Sequence, residues 1–260
     1  MMLQRIAECA VEAAGLGRTV TQIGPFRACI DPTTDLIYLN YVVPVWALGT
    51  VEETREQLER LRELFHASRR RLRFEFVDGI WPGLVEELEA FELERQDCLP
   101  LMACTAEQFV AAERAGVQVR TVEAGNIADL RAFYAVQRRA FGTEDVSVSE
   151  VEIGQLRHQI EHGFWRCVLA SMDGVDVGVG SVLPWNTMCE LAGVGTVQEG
   201  RRRGVAATLS SVLVREHFAR GGDLVWLTAA TEEARRVYAG IGFRDVGVGF
   251  HYIEMQGPCP

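Results

Sequence analysis

Hydrophobic and polar residues follow regular spacings along most of the chain, and the second half gives the clearer pattern. Apolar and polar side chains alternate over 117–124, which is typical of a half-buried strand. Asn126 can then cap a helix to about Phe141, in which apolar residues recur every three or four positions. Beyond it, the pattern predicts a helix from 149 or 150 to 163, strands at 164–172, 175–183 and 188–197, a helix at 205–220, a strand at 224–228, a helix capped by Thr231 and a strand at 243–255.

The first half repeats the final order of the second half. Its pattern predicts strands at 18–30 and 35–43, a helix at 51–70, a strand at 72–77, a helix at 82–90 and a strand at 91–104, with 105–116 as a connecting helix or linker. The phrase LVEELEAFELE at 84–94 also echoes ARRVYAGIGFRD at 234–245. We therefore expect an internal duplication, with domains at 1–110 and 117–260.

The amino-acid composition excludes several kinds of catalytic site and partner. The chain has 26 basic residues and every one is arginine, which excludes a Schiff-base lysine and a lysine-containing phosphate loop. The net charge of −10 argues against nucleic-acid binding, and the acidic first half could attract a cationic molecule. No apolar run is long enough to span a membrane, so no membrane association is expected.

Seven cysteines, the last of them Cys259, include no C-x-x-C pair, which favours reduced thiols and a cytoplasmic location. His158 and His162 are four residues apart, but no third metal ligand is evident. The sequence therefore predicts no metal site. A homodimer is compatible with the sequence.

The segment between the strand at 188–197 and the helix at 205–220 carries the strongest chemical signal. It contains three arginines and a glycine at the start of a helix, where backbone N–H groups and the helix dipole favour an anion. Consecutive arginines are unfavourable beside the positive end of the helix dipole, so their presence favours an anionic partner. From the spacing alone, a phosphate site and a solvated basic turn are equally supported. The residues of this segment are Arg201, Arg202, Arg203, Gly204, Val205 and Ala206.

This segment resembles the [QR]-x-x-G-x-[GA] pyrophosphate loop of the GNAT (GCN5-related N-acetyltransferase) family. A second phrase, T-x-x-A-x-x-VY-x-x-x-GF at 231–243, is similar to the last helix and strand of that family. The resemblance covers about 117–255. It implies an α+β fold in three layers, built as two tandem GNAT-like domains, each with a mixed, mostly antiparallel sheet flanked by helices. Glu52, Glu53 and Glu56 lie where a first-half loop would fall and would repel a pyrophosphate, so the first domain is expected to be degenerate.

The resemblance implies acetyl-CoA as the acyl donor. It places the backbone of Gly195, Thr196 and Val197 beside the pantetheine arm and the N–H groups of 201–206 around the pyrophosphate. Tyr238 matches the tyrosine that protonates the departing thiolate in many members. Thr231 stands where the family often has an asparagine, which weakens or moves one contact to the cofactor arm.

An acceptor amine must be neutral to attack the thioester, so a general base is expected. Glu190 is our candidate, because many GNAT members place a glutamate at this strand position and its neighbours here are apolar. A backbone N–H near Val197 would meet the oxyanion. Direct transfer needs no nucleophile of the enzyme, which disfavours Cys189 as an acyl carrier.

These residues predict an N-acetyltransferase that acts on an amine of a small molecule or peptide. A non-catalytic acyl-CoA-binding sensor is the alternative, and a structural module without cofactor is a third reading. The acceptor and the acyl chain length stay open at this point.

Overall fold

A computed structural model describes residues 2–143 and 145–255, so Cys259 and the end of the predicted second domain lie outside the described residues. The first half contains, in chain order, α1 (Met2–Gly15), β1 (Thr19–Ile23), β2 (Phe26–Ile30), a 3₁₀ turn (Ile37–Leu39), β3 (Tyr41–Pro44), α2 (Val51–Ala67), β4 (Arg73–Val77), α3 (Leu84–Ala90) and β5 (Leu93–Thr105). The second half contains β6 (Val117–Thr121), α4 (Ile127–Ala140), α5 (Glu150–Glu161), β7 (Arg166–Met172), β8 (Val175–Trp185), β9 (Met188–Thr196), α6 (Val205–Ala219), β10 (Leu224–Thr228), α7 (Glu232–Gly240) and β11 (Arg244–Glu254). The predicted mixed α/β fold is confirmed.

Contacts divide the described chain into two compact units, 2–101 with 246–255, and 102–245. These bounds differ from the expected ranges 1–110 and 117–260. The end of β5, from Met102, groups with the second unit, and β11 from Val246 groups with the first. The difference arises because hydrophobic spacing identifies a strand but not the neighbour with which it pairs.

The first unit contains a sheet in the order β1-β2-β3-β4-β11-β5. β3 and β4 run parallel, whereas β1–β2, β2–β3 and β4–β11 are antiparallel. Its core lies under α2 and α3 and includes a cluster of aromatic rings, with Phe26 and Phe74 in edge-to-face contact at 5.4 Å between centroids. Phe250 and Tyr252 of β11 belong to the same core.

The second unit contains the order β10-β9-β8-β7-β6, with the end of β5 beside β10. Neighbours from β6 to β9 are antiparallel, and β9 and β10 are parallel. Helix α4 packs on β8 and β9, and α6 packs mainly on β8 and β9 as well. The parallel pair β9–β10, joined through α6, is the feature that creates the candidate site described below.

Local signals explain why the second-half elements agree with the sequence prediction. Asn126 caps α4 by accepting a hydrogen bond from the Asp129 N–H at 3.2 Å. Ser149 caps α5 in a reciprocal capping box with Glu152. Asp173 and Gly174 both have positive φ, as a tight hairpin between β7 and β8 requires.

The first half departs from the sequence prediction at three places. Helix α1 was not expected, although Ile6, Cys9 and Ala13 are buried at helical spacing. The strand predicted at 18–30 is a hairpin of β1 and β2 that turns at Gly24 and Pro25. Most of the strand predicted at 35–43 is a 3₁₀ turn and coil, and only its end belongs to β3.

The two halves still end with the same succession of elements, strand, helix, strand, helix, strand, from β3 to β5 and from β9 to β11. Within 2–143 and 145–255, no helix combines the length and apolar character needed to cross a membrane.

Candidate active site

The parallel strands β9 and β10 pair over a short stretch and then separate. Their register joins Leu224 to Met188 and ends with Trp226 opposite Glu190, although β9 continues to Thr196. On the other side of β9, the register with β8 shifts between Val179 and Ser181. Such a bulge bends its strand, and the pairing of β9 with β10 stops at Glu190. The backbone of β9 beyond Glu190 therefore has an open side that can pair with an extended ligand.

The end of β9 fits closely against α4. A Cβ on Gly195 would lie 2.8 Å from Ala140 Cβ and 3.2 Å from the Phe141 ring, so only glycine allows this approach. Thr196 follows, and its hydroxyl is buried without a hydrogen-bond partner. The structure thus holds one unsatisfied polar group at the point where β9 leaves the sheet.

The turn after β9 leads into α6 without a side-chain cap. Gly204 is the N-cap residue with φ of +81°, and no acidic residue occupies the first turn of the helix. The first hydrogen bond of the helix runs from the Thr208 N–H to the Gly204 oxygen, at 3.0 Å. No hydrogen bond is recorded for the N–H groups of 203–206 among the described residues. Four donors and the positive end of the helix dipole therefore face a potential anion.

The three arginines of the turn differ in what they contact. Arg201 donates from Nε to the Thr196 oxygen at 3.2 Å and from Nη2 to the Ala140 oxygen at 3.3 Å. Arg203 lies 3.9 Å from Asp173, and both side chains are largely exposed. Arg202 is exposed and has φ of +58°. Arg201 therefore ties the end of β9 to α4, whereas Arg202 and Arg203 project from the surface.

Tyr238 lies on α7 and packs against Phe243, with 5.8 Å between ring centroids. Only 8% of its surface is exposed. Burial raises the pKa of Tyr238 to about 12, so the phenol stays protonated at neutral pH. No hydrogen-bond partner of its hydroxyl is recorded within the described chain. Thr231 begins the same helix, and its hydroxyl accepts a hydrogen bond from the Ala234 N–H at 3.1 Å.

Glu190 is the last residue of β9 that pairs with β10, where it lies opposite Trp226, and on the other side it lies opposite Leu183 of β8. Its side chain is half-buried, and the flanking residues Cys189 and Leu191 are buried. Because side chains alternate along a strand, Glu190 lies on the opposite face of the sheet from both of these neighbours. The carboxylate is thus at the point where β9 and β10 separate.

Comparison with known proteins agrees with this geometry. Residues 127–243 match the model of the Acetyltransferase (GNAT) family. This part of the chain is a GNAT domain. No curated protein matches the sequence significantly.

Solved structures share the fold over nearly the whole chain. A GCN5-related N-acetyltransferase from Kribbella flavida has a TM-score of 0.80 and 25% identity, over 98% of this chain and 96% of that chain. A tandem GNAT protein from the clavulanic acid biosynthesis pathway has a TM-score of 0.63 and 16% identity, over 90% and 79%. A GCN5-related N-acetyltransferase from Sphaerobacter thermophilus has a TM-score of 0.63 and 18% identity, over 88% and 76%. The latter two likenesses concern the fold alone.

Two details of the candidate site differ from what the motif at 201–206 suggests. The Arg201 N–H donates to the Gln198 oxygen at 3.3 Å, so this N–H is less available to a phosphate than those of 203–206. The Val197 N–H donates to the Val177 oxygen at 2.9 Å, so an oxyanion needs another N–H on the open side of β9. The two acceptors, Gln198 and Val177, lie outside the motif at 201–206, so the motif gives no indication of these hydrogen bonds.

Arg114 lies against Gly204 of the candidate site, although no sequence motif indicated this residue. Its Nε, Cβ and Cγ lie 3.2 to 3.3 Å from the position a Cβ would take on Gly204. The segment before it lies along α6, because the Ala112 N–H donates to Ser211 Oγ at 2.8 Å. Glu113 also pairs with Arg215 at 2.7 Å. Arg114 precedes Gly204 by 90 residues in sequence, so no local signal could have found it.

Among residues 2–143 and 145–255, no group of three or more histidine, cysteine, aspartate or glutamate side chains is arranged to hold a metal. The rings of His158 and His162 lie 4.0 Å apart between centroids, and the His162 ring stacks on Phe164 at 5.7 Å.

Proposed function

We propose that this protein is an N-acyltransferase that moves the acetyl group of acetyl-CoA to an amine of a small molecule or peptide. The separation of β9 and β10 beside the uncapped start of α6 is the observation that carries the proposal. An extended arm with a diphosphate at one end fits both parts at once, because the open strand offers backbone pairing and the helix offers N–H donors.

In this proposal the pantetheine arm lies along Gly195, Thr196 and Val197. The buried, unpartnered hydroxyl of Thr196 supports this placement, since a ligand amide would satisfy it. The pyrophosphate accepts from the N–H groups of 203–206, and Arg202, Arg203 and Arg114 supply charge beside them. Thr231 uses its oxygen as a helix cap and keeps its own O–H free to donate to the arm.

The chemical step needs a base for the amine and an acid for the leaving thiolate. Glu190, directly or through water, takes a proton from the amine, whose nitrogen then attacks the thioester carbon. The C–N bond forms, an N–H of the open β9 edge stabilises the oxyanion, and the C–S bond breaks. Tyr238 gives its proton to the sulfur, and the nitrogen gives its surplus proton to the resulting tyrosinate through water, so that a neutral amide forms, the phenol is restored and free CoA leaves. Because the amine attacks the thioester directly, the step requires no nucleophilic side chain of the protein.

The negative charge of the first half supports a cationic amine as the acceptor. The first half of the chain carries 19 acidic residues and 12 arginines within 1–116, which favours the approach of a cationic amine. The six described cysteines are free thiols, which supports a cytoplasmic location.

Two measurements test the proposal in sequence. Calorimetry and thermal shift should show that acetyl-CoA binds and raises the melting temperature, because a ligand that binds only the native state stabilises it. A thiol-release assay against polyamines, aminoglycosides and peptides should then detect CoA with at least one amine. Binding without turnover across the panel would favour the acyl-CoA sensor, and absence of binding would leave only a structural module.

A further inference from the structure

Phe141, the residue that follows the last turn of α4, has an aromatic ring that is not buried in the core of the second unit. The residue is 61% exposed, and within 102–143 and 145–245 it is the only aromatic residue among the exposed large hydrophobic ones. A single exposed apolar residue is ordinary on a protein surface. The surroundings of Phe141 therefore decide whether its ring has a function.

The ring of Phe141 is held against the backbone of β9. The Phe141 N–H donates to the Gln137 oxygen at 3.0 Å, and Gly142, with φ of +82°, ends the helix directly after it. Two ring atoms, Cε2 and Cζ, lie 3.2 and 3.6 Å from the position that a Cβ would take on Gly195. The ring therefore lies at the part of β9 that is proposed to run along the pantetheine arm.

The end of α4 borders the open side of β9, the side that faces away from β8. The Val197 N–H donates to the Val177 oxygen of β8 at 2.9 Å, so the carbonyl of the same peptide, that of Thr196, points to the open side. Arg201 donates from Nε to this carbonyl at 3.2 Å and from Nη2 to the carbonyl of the last residue of α4 at 3.3 Å. One guanidinium thus joins the open side of β9 to the residue directly before Phe141.

The other side of Gly195 is occupied by a core residue. Val179 of β8 is paired with Gly195, shares its face of the sheet and is fully buried. The exposed surface of the Phe141 ring therefore lies towards the open side of β9. A chain that pairs with that side runs about 4.8 Å from the β9 backbone, next to the ring.

The pantetheine arm of acetyl-CoA has two kinds of group that suit this position. Its amides can pair with a strand backbone, and its methyl and methylene groups can pack on an aromatic ring. We propose that Phe141 binds the pantetheine arm by packing its ring on these apolar groups. The inference rests on the use of acetyl-CoA proposed above and adds a residue to its binding site.

The arm does not react, so its contact with the ring should be equally strong before and during acyl transfer. Such uniform binding lowers KM and leaves kcat unchanged. Loss of the ring should therefore raise the KM of acetyl-CoA, whereas kcat and the KM of the amine should stay within about twofold. This division between KM and kcat distinguishes Phe141 from Tyr238, whose loss should lower kcat.

Calorimetry on the full chain tests the contact. Phe141→Ala should weaken binding of acetyl-CoA and of CoA about tenfold, the factor expected when roughly 55 Å² of apolar surface is no longer covered. Phe141→Leu keeps part of that surface and should lose at most about threefold. Adenosine 3′-phosphate 5′-diphosphate, the nucleotide end of CoA, has no arm and should bind both variants as it binds the unmodified chain.

Ile127→Ala is the matched control, because Ile127 is an exposed apolar residue of the same helix. It precedes Phe141 by 14 residues, which places it about 21 Å away along α4. The control should bind acetyl-CoA within about twofold of the unmodified chain. If Phe141→Ala does not fold, Phe141→Gln gives the same comparison, because it removes the apolar ring and keeps a long side chain.

Three results would overturn the role of Phe141: unchanged affinity for acetyl-CoA in the folded variants, an equal loss of affinity for the nucleotide end, or a rise confined to the KM of the amine. Each of them leaves the proposed N-acyltransferase function intact, because the unmodified chain still binds acetyl-CoA. If the unmodified chain bound no acetyl-CoA, the proposed function would fail, and the role of Phe141 would fail with it.

Discussion

Tyr238 combines two properties that one substitution can separate, a ring that packs in the core and a hydroxyl without a hydrogen-bond partner among residues 2–143 and 145–255. In Tyr238→Phe the contact with Phe243 is retained while the proton donor is lost. We expect kcat to fall by about 100-fold or more, since general acid catalysis contributes about 10²–10⁴. Affinity for acetyl-CoA and the melting temperature should stay unchanged. Steady-state kinetics and calorimetry measure the two effects, and an unchanged kcat would exclude Tyr238 as the acid.

The pH dependence of kcat gives an independent check on the same residue. A general acid works only when protonated, and burial raises the pKa of Tyr238 to about 12. Its contribution is therefore fully present at neutral pH and is lost only as pH rises towards 12. Ionisation of Tyr238 should therefore cause no fall in kcat below pH 10. Any fall in kcat that does occur below pH 10 should also be present in Tyr238→Phe. A fall near pH 9 that disappears in Tyr238→Phe would contradict the burial of the phenol in the working enzyme.

Glu190 can be tested through the protonation of the acceptor. Glu190→Gln removes the base, so turnover at neutral pH should fall by about 100-fold or more. The deficit should shrink as pH approaches the pKa of the amine, because the amine then loses its proton without help. The exposed Glu233→Gln is a matched control and should keep normal rates. A deficit that is independent of pH would indicate a structural role for Glu190 instead.

Helix α6 lets stability and ligand binding be changed in opposite directions. In Ala206→Glu a carboxylate enters the first turn, where the helix dipole stabilises it by about 0.3–1 kcal/mol. The same charge repels a pyrophosphate, so acetyl-CoA should bind about tenfold more weakly or worse. Urea unfolding and calorimetry measure both quantities, with Ala206→Gln as the uncharged control. If the two variants bound acetyl-CoA equally well, the anion site would not be at this helix end.

At the same scale, the sequence predicts elements where their ends carry local signals. The caps at Asn126 and Ser149 and the turn at Asp173 act within three residues, so the second half was predicted closely. The proposal of a pyrophosphate turn at 201–206 has the same basis, because its motif is continuous in sequence. The role of Arg201 in joining β9 to α4, and the position of Arg114 on Gly204, depend on packing between distant segments. No periodicity within one segment contains that information.

For the whole molecule, the assignment of β5 and β11 is the feature that sequence patterns could not provide. Both were predicted as strands at nearly their observed positions, yet each contributes residues to both units. β11 pairs with β4 over five residue pairs from Gly249 opposite Val77 to Ile253 opposite Arg73. The first unit is therefore completed by residues that follow the GNAT domain in sequence.

This arrangement predicts which pieces of the chain can fold. Residues 1–110 alone lack β11, which leaves the edge of β4 unpaired and removes Phe250 and Tyr252 from the core. We expect this piece to show no cooperative urea unfolding by circular dichroism, since burial of each ring contributes roughly 1.5–3 kcal/mol. Joining 2–101 to 246–255 through a short Gly-Ser linker should restore a cooperative transition. The linker is short because Leu101 lies near Gly247, whose Cβ position would be 3.7 Å from Leu101 Cδ2.

The control for this experiment is the same joined chain with the order of residues 246–255 scrambled, which keeps length and composition but removes the apolar alternation of β11. It should unfold without cooperativity, like 1–110. If 1–110 and the scrambled chain unfolded as cooperatively as the joined chain, β11 would not be required by the first unit. The division of the chain at Leu101 and Val246 would then be no better a guide to folding than the boundary near 110 that the sequence predicts.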